Sequence, residues 1–138
     1  MISHFDDLLK AAREQTAPQR LLLVFAGAEL PDGADAEQRA QFEAGEGGAL
    51  VPLMCVDKRP EDVVSFAELC TEADSMNSGW RVVLAGALSA LPGETIKDKT
   101  IDTAFERLLG FIKAEQMDQV FAQTVAFTRD GAAVSLQP

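Results

Sequence analysis

The sequence contains little of the chemistry on which most enzyme sites depend. Its 138 residues include one histidine, two cysteines and no tyrosine. A serine or cysteine nucleophile needs a base within hydrogen-bond reach, and histidine usually supplies that base. His4 is the single histidine, and Cys55 and Cys70 have neither the C-x-x-C spacing of a redox pair nor the histidines of a zinc site. We therefore expect no catalytic residue, no metal site and no cofactor.

Basic residues are also scarce. The chain has 12 lysines and arginines and 22 aspartates and glutamates, which gives a formal net charge of −10. Nucleic-acid binding depends on basic side chains that neutralise phosphates, and anionic membrane surfaces attract basic segments, so the charge argues against both partners. The simplest consequence of the negative charge is solubility, and the alternative is a basic protein partner or a small cationic or polar ligand.

Long apolar runs are missing as well. No run approaches the roughly 20 apolar residues of a membrane-spanning helix. The first seven residues carry two aspartates where a signal peptide has basic residues. Two cysteines without C-x-x-C spacing suit a reducing compartment. We therefore expect a cytoplasmic protein.

Three apolar runs are present, at residues 21–28, 49–56 and 82–88, and segments of helical period separate them. Such runs are typical of strands covered on both faces, and strands that alternate with helices are typical of a parallel sheet. We predict a single α/β domain over residues 1–138, with a mainly parallel three-stranded core sheet, helical crossovers and a C-terminal β-hairpin. A two-layer α+β arrangement with more antiparallel pairing is the alternative.

Local signals predict the helices. Ser3 and Asp6 form a capping pattern before the apolar stripe of a first helix. Pro60 begins a later helix, and Thr100 caps the most amphipathic one. A short surface helix is predicted to end at residue 43.

Proline and glycine mark special positions in the predicted strands. Pro52 cannot donate to a ladder, so the second strand is predicted to lie at a sheet edge or to be bulged there. Gly27 and Gly86, both inside strands, indicate a bulge or the close approach of another backbone or a ligand. Asp130 and Gly131 form the turn of the predicted hairpin.

Polar residues follow the predicted strands and suggest a ligand site. If the strands are parallel, Glu29, Asp57 and Ser89 meet at the carboxyl end of the sheet, where open α/β sheets bind ligands. Two carboxylates there bind a cationic or polyhydroxyl ligand, or one acts as a general base if its pKa is raised. Glu46 lies in a glycine-rich loop that is either a flexible entry to the second strand or a cover over this site. The alternative is that all these polar residues merely end strands and turns.

Two segments, QRLLLVFAGAELP at residues 19–31 and FEAGEGGALVPLMCVDK at residues 42–58, resemble a small proteobacterial family. Its members often carry the label "ribonucleotide reductase subunit alpha". The resemblance is close over residues 8–66 and weaker beyond. A reductase large subunit is a long barrel protein with a radical cysteine and a redox pair on neighbouring strands, and this chain has neither that size nor that spacing. The resemblance therefore implies a bacterial cytoplasmic protein and assigns no catalytic residue.

These observations favour a non-catalytic binding or protein-interaction module. We expect a small homo-oligomer, because the second strand can pair with its own copy at a sheet edge, over a length that Pro52 limits. The alternative function is a small enzyme or ligand sensor with Glu29 and Asp57 in its site.

Overall fold

A computed structural model describes residues 2–30, 33–43 and 49–134. Five strands form one sheet in the order β2-β1-β3-β4-β5. The strands are β1 (Gln19–Glu29), β2 (Ala49–Lys58), β3 (Val82–Ser89), β4 (Val125–Thr128) and β5 (Ala133–Val134). The helices are α1 (Phe5–Arg13), α2 (Ala36–Glu43), α3 (Phe66–Met76), α4 (Asp98–Lys113) and α5 (Met117–Gln123), and a 3-10 turn covers Pro60–Asp62.

Every neighbouring pair of strands in this sheet is antiparallel, so the predicted mainly parallel sheet is wrong. The strands β2 and β3 do run in the same direction, but β1 lies between them and runs the opposite way. The apolar run of β1 reflects burial on both faces, and that burial is the same for either strand direction. The fold is therefore of the α+β class.

Two apolar cores lie on opposite faces of the sheet, because successive side chains of a strand alternate between faces. Leu21, Leu23 and Phe25 of β1 pack with buried residues of α1 and α3. Leu22 and Val24 pack with buried residues of α4 and α5. Helices thus cover both faces, whereas the predicted α+β alternative had the antiparallel pairing but only two layers.

The helix ends differ from the predicted caps. The N-cap of α1 is His4 rather than Ser3, and Asp7 completes its capping box. The segment after Pro60 forms only a 3-10 turn, and α3 begins after the N-cap Ser65. Helix α4 begins at Asp98, so the predicted cap, Thr100, lies in its first turn.

Other local predictions are confirmed. The predicted short surface helix is present as α2 and includes Glu43, and the C-terminal hairpin is present as β4 and β5. Strand β2 lies at the edge of the sheet, and its register with β1 shifts next to Pro52. Within the ranges that the structure covers, none of the helices combines the length and apolar character needed to cross a bilayer.

Candidate functional site

The predicted carboxylate cluster does not form. Because β1 and β2 are antiparallel, Glu29 pairs with Ala49 while Asp57 pairs with Leu22, near the other end of β1. The two carboxylates that were expected to share a site therefore lie at opposite ends of the sheet. The reason is strand direction alone, since a parallel pair would have brought both strand ends together.

Ser89 and Asp57 lie at the same end of the sheet but on different faces. Ser89 pairs with Gln19, and the Gln19 Nε2 donates to the Ser89 Oγ at 2.7 Å. Gln19 shares its face of β1 with Leu21, whereas Asp57 lies opposite Leu22. Ser89 is thus on the α1 and α3 side and Asp57 on the α4 and α5 side.

Glu46 lies outside the described residues, so its predicted role as part of a covering loop stays a prediction. Within the described ranges, no group of three or more histidine, cysteine, aspartate or glutamate side chains is arranged to hold a metal ion.

Strand β2 forms one edge of the sheet, and some of its backbone N–H and C=O groups point away from β1. Among the described strands, only β1 pairs with β2. In an antiparallel ladder, residues along a strand point their N–H and C=O groups alternately to one neighbour and to the other. Once the direction of the backbone N–H and C=O groups is known for one residue of β1, it is known which β2 residues point these groups away from β1.

Ala26 of β1 determines this orientation. Its carbonyl oxygen accepts a hydrogen bond from the Arg81 N–H at 2.9 Å, on the β3 side. Pro52, which is opposite Ala26, therefore points its backbone nitrogen away from β1. Since proline has no N–H to donate, this is the position where it costs the sheet no ladder bond.

The same alternation assigns Cys55 and Asp57 to the outer edge. Val24 and Leu22 share the orientation of Ala26, and they pair with Cys55 and Asp57 respectively. The N–H and C=O groups of both β2 residues therefore face away from β1. Both residues are exposed, although Val24 and Leu22 beside them are buried.

A bulge separates this pair from the first half of β2. The register shifts between Phe25 and Ala26, so that Leu53 has no partner between Pro52 and Met54. A bulge bends its strand and disrupts pairing, and a proline removes a donor from the edge. The uninterrupted outer edge is consequently the second half of β2, residues 54–58.

Ion pairs occupy the charged end of this edge. Arg20 Nη1 donates to Asp57 Oδ2 at 2.8 Å on the α4 and α5 face, and Lys58 Nζ donates to Glu72 Oε1 of α3 at 2.8 Å on the other face. The Nε of Arg20 is buried and has no hydrogen-bond partner within the described residues. Arg20 therefore holds Asp57 through one nitrogen rather than through a bidentate fork.

Cys55 does not have the properties of a reactive thiol. Partial burial raises the pKa of the Cys55 thiol above its ordinary value, although the residue as a whole is exposed. The nucleophilic form of cysteine is the thiolate, and a raised pKa keeps the thiol protonated at neutral pH. What this edge offers to a partner is backbone donors and acceptors together with one carboxylate.

Comparison with protein-family models, with curated proteins and with solved structures gives no match.

Sequence reasoning selected Asp57 but missed its partner Arg20. The pairing of the two requires β1 and β2 to be adjacent and antiparallel, which the residues themselves do not specify. Pro52 was the signal that located the edge, because its missing donor is tolerated only where no neighbouring strand needs it.

Proposed function

We propose that the chain is a non-catalytic interaction module that binds an extended segment of another protein along the outer edge of β2. In this mode of recognition the bound segment adds a strand to the sheet, and main-chain hydrogen bonds supply much of the affinity. The observation that carries the proposal is the outward orientation of the Cys55 and Asp57 backbone groups.

The rest of the sheet supports the choice of this edge. Helices cover both faces, and within the described residues the opposite edge is formed by the two residues of β5, Ala133–Val134. Strand β2 has ten residues and therefore offers the longer template among the described strands. A strand of that length with one side unpaired is the kind of edge that recruits an added strand.

Another protein is favoured over a second copy of this chain. Two copies carry a formal charge of −10 each and repel one another. A pairing of residues 54–58 with the same residues of a second copy puts Cys55 opposite each Asp57, so neither carboxylate meets a basic residue there. An antiparallel pairing along all of β2, with Ala49 opposite Lys58, places Pro52 opposite Cys55 in both copies. Each Cys55 carbonyl group would then face a residue that has no N–H to donate.

The proposal is tested with the variant Cys55→Pro. Because the Cys55 N–H faces outward, this change removes a hydrogen-bond donor from the outer edge and leaves the hydrogen bonds between β1 and β2 intact. Pro52 is already tolerated in the same orientation. Cys55→Ser is the matched control, since it changes the side chain and keeps the N–H. Urea unfolding of both variants checks that the fold is retained.

The measurement is binding of random ten-residue peptides selected by display against the wild-type protein. We expect the selected peptides to bind Cys55→Ser as well as wild type, and Cys55→Pro at least tenfold more weakly. Selected peptides that bind folded Cys55→Pro with unchanged affinity would contradict the proposal. Sedimentation velocity is run alongside, and a wild-type dimer that Cys55→Pro abolishes would show that the occupant is a second copy instead.

A further inference from the structure

We infer that the segment bound at this edge is basic and pairs with residues 54–58 of β2. This inference rests on the proposed function and adds to it the charge and the position of the partner. It is carried by two independent observations: the interruption of β2 at Pro52 and Leu53, and the Asp57 carboxylate oxygen that accepts no hydrogen bond from the described residues.

The interruption limits where a partner strand can pair. Pro52 offers no donor, and the bulge at Leu53 breaks the alternation that a straight partner would follow. Beyond the bulge, Cys55 and Asp57 face outward in regular alternation. A partner strand therefore makes its continuous hydrogen bonds with the second half of β2.

Asp57 supplies the charge preference. Its Oδ2 accepts from Arg20, whereas its Oδ1 accepts no hydrogen bond from the described residues. The side chain is 39% exposed and projects on the α4 and α5 face. The Lys58 ammonium group, which would repel a basic partner, projects on the other face and is paired with Glu72.

The geometry also predicts the pattern of the partner. In an antiparallel pairing, the partner residue opposite Asp57 comes two positions before the residue opposite Cys55, and both project on the same face. We expect lysine or arginine opposite Asp57 and an uncharged residue opposite Cys55. The formal charge of −10 on the whole chain adds long-range attraction for such a segment.

The test uses three blocked, fluorescein-labelled peptides of seven residues, built from alternating threonine and valine. The three peptides differ at one position, which is threonine in the first peptide, lysine in the second and glutamate in the third. Fluorescence anisotropy at low salt gives the affinity of each peptide for the wild-type protein. We expect the lysine peptide to bind about three- to fivefold more tightly than the threonine peptide, since an exposed ion pair contributes modestly, and the glutamate peptide to bind most weakly.

Asp57→Asn is the deciding variant. It should remove the preference for lysine while the threonine peptide keeps its affinity within twofold. Glu37→Gln, an exposed position on α2, removes the same charge elsewhere and should leave the lysine preference intact. Equal binding of the three peptides by wild type, or a lysine preference that survives Asp57→Asn, would overturn the inference.

The two proposals fail in different ways. If Cys55→Pro weakens all three peptides while the wild-type protein shows no preference for lysine, strand addition stands and the basic partner does not. If none of the three peptides binds the wild-type protein, or if all bind Cys55→Pro unchanged, strand addition itself is wrong.

Discussion

His4 joins the first helix to the last hairpin through both nitrogens of its imidazole ring. Nδ1 accepts from the Asp6 N–H at 3.0 Å, and Nε2 donates to the carbonyl oxygen of Asp130 at 3.1 Å. The Phe5 N–H donates to the carbonyl oxygen of Gly131 at 2.8 Å. Gly131 has a φ of 86°, and a side chain there would overlap the His4 ring. The histidine is therefore a structural connection between the two ends of the described chain.

The first prediction concerns Gly131→Ala. A positive φ costs a residue with a side chain about 1–2 kcal/mol, and the overlap with His4 adds to that cost. We expect the free energy of unfolding, measured in urea, to fall by about 2–4 kcal/mol. In a His4→Ala background the overlap is gone, so the same change should cost only about 1–2 kcal/mol. An equal cost in both backgrounds would show that the ring does not constrain Gly131.

At the scale of elements, the contact between β3 and the end of α5 depends on Gly86. A Cβ at this position would lie 3.1 Å from the carbonyl oxygen of Gln123 and 3.6 Å from the Thr124 Cγ2. Thr124 Oγ1 in turn donates to the carbonyl oxygen of Val120 at 2.8 Å. The close approach of another backbone that the strand glycine predicted is therefore present, and the backbone belongs to this chain.

The second prediction follows from that contact. Gly86→Ala should lower the free energy of unfolding by about 1–3 kcal/mol, because a backbone carbonyl cannot move aside as a side chain can. Gly110→Ala on α4 is the control, since a Cβ there meets nothing within 4 Å. Alanine is the better helix former, so this control should stabilise the protein by about 0.5–1 kcal/mol. Thermal unfolding of both variants checks this: the melting temperature should fall for Gly86→Ala and rise for Gly110→Ala.

At the scale of the whole molecule, three carboxylates on one face have their pKa lowered by hydrogen bonds, and Asp74 connects α3 to the hairpin. Hydrogen bonds from Ser3 and His4 lower the pKa of Asp7, those from Thr128 and Ala132 lower the pKa of Asp130, and those from Arg129 and Trp80 lower the pKa of Asp74. Arg129 also lies over the Trp80 ring, 4.2 Å from its centroid. The bonds of Asp7 lie at the start of α1 and those of Asp130 lie within the β4–β5 turn, so Asp74 is the carboxylate of the three that joins two elements.

The third prediction is a dependence of stability on pH. A carboxylate whose pKa is lowered by folding stabilises the native state above the pKa of the unfolded chain, about 3.9, and this stabilisation is lost as the pH falls through the lower folded-state value. Asp74→Asn should therefore lower the free energy of unfolding at pH 7, and the difference from wild type should shrink below about pH 4. Urea unfolding of both proteins between pH 2 and pH 7 measures this difference in the free energy of unfolding.

Glu106→Gln, an exposed position on α4, is the control for this pH profile. A difference between Asp74→Asn and wild type that stays constant down to pH 2 would show that the charge of Asp74 does not contribute. Solvent screens the interaction of the exposed Asp74 carboxylate with Arg129, so the difference at pH 7 should be small.

Several features could be predicted from the residues alone because their causes are local or depend on burial. The apolar runs identified the strands, since burial on both faces requires apolar side chains at every position. The presence of α2 and the turn at Asp130 and Gly131 were predictable for a similar reason, because capping and turn formation depend on residues close in the chain. Pro52 indicated both the edge and the bulge through its missing donor.

Strand direction was decided only by the tertiary structure. The apolar pattern of β1 is the same whether its neighbours run parallel or antiparallel, because each face is buried either way. Direction nevertheless places Glu29 and Asp57 at opposite ends of the sheet and brings Arg20 beside Asp57. The sequence by itself determined which segments form strands and where the hairpin turns. It did not determine burial, since no residue of β2 is buried although its apolar run predicts a strand covered on both faces. The antiparallel pairing of the strands decided which polar groups meet, because those groups are distant in the chain.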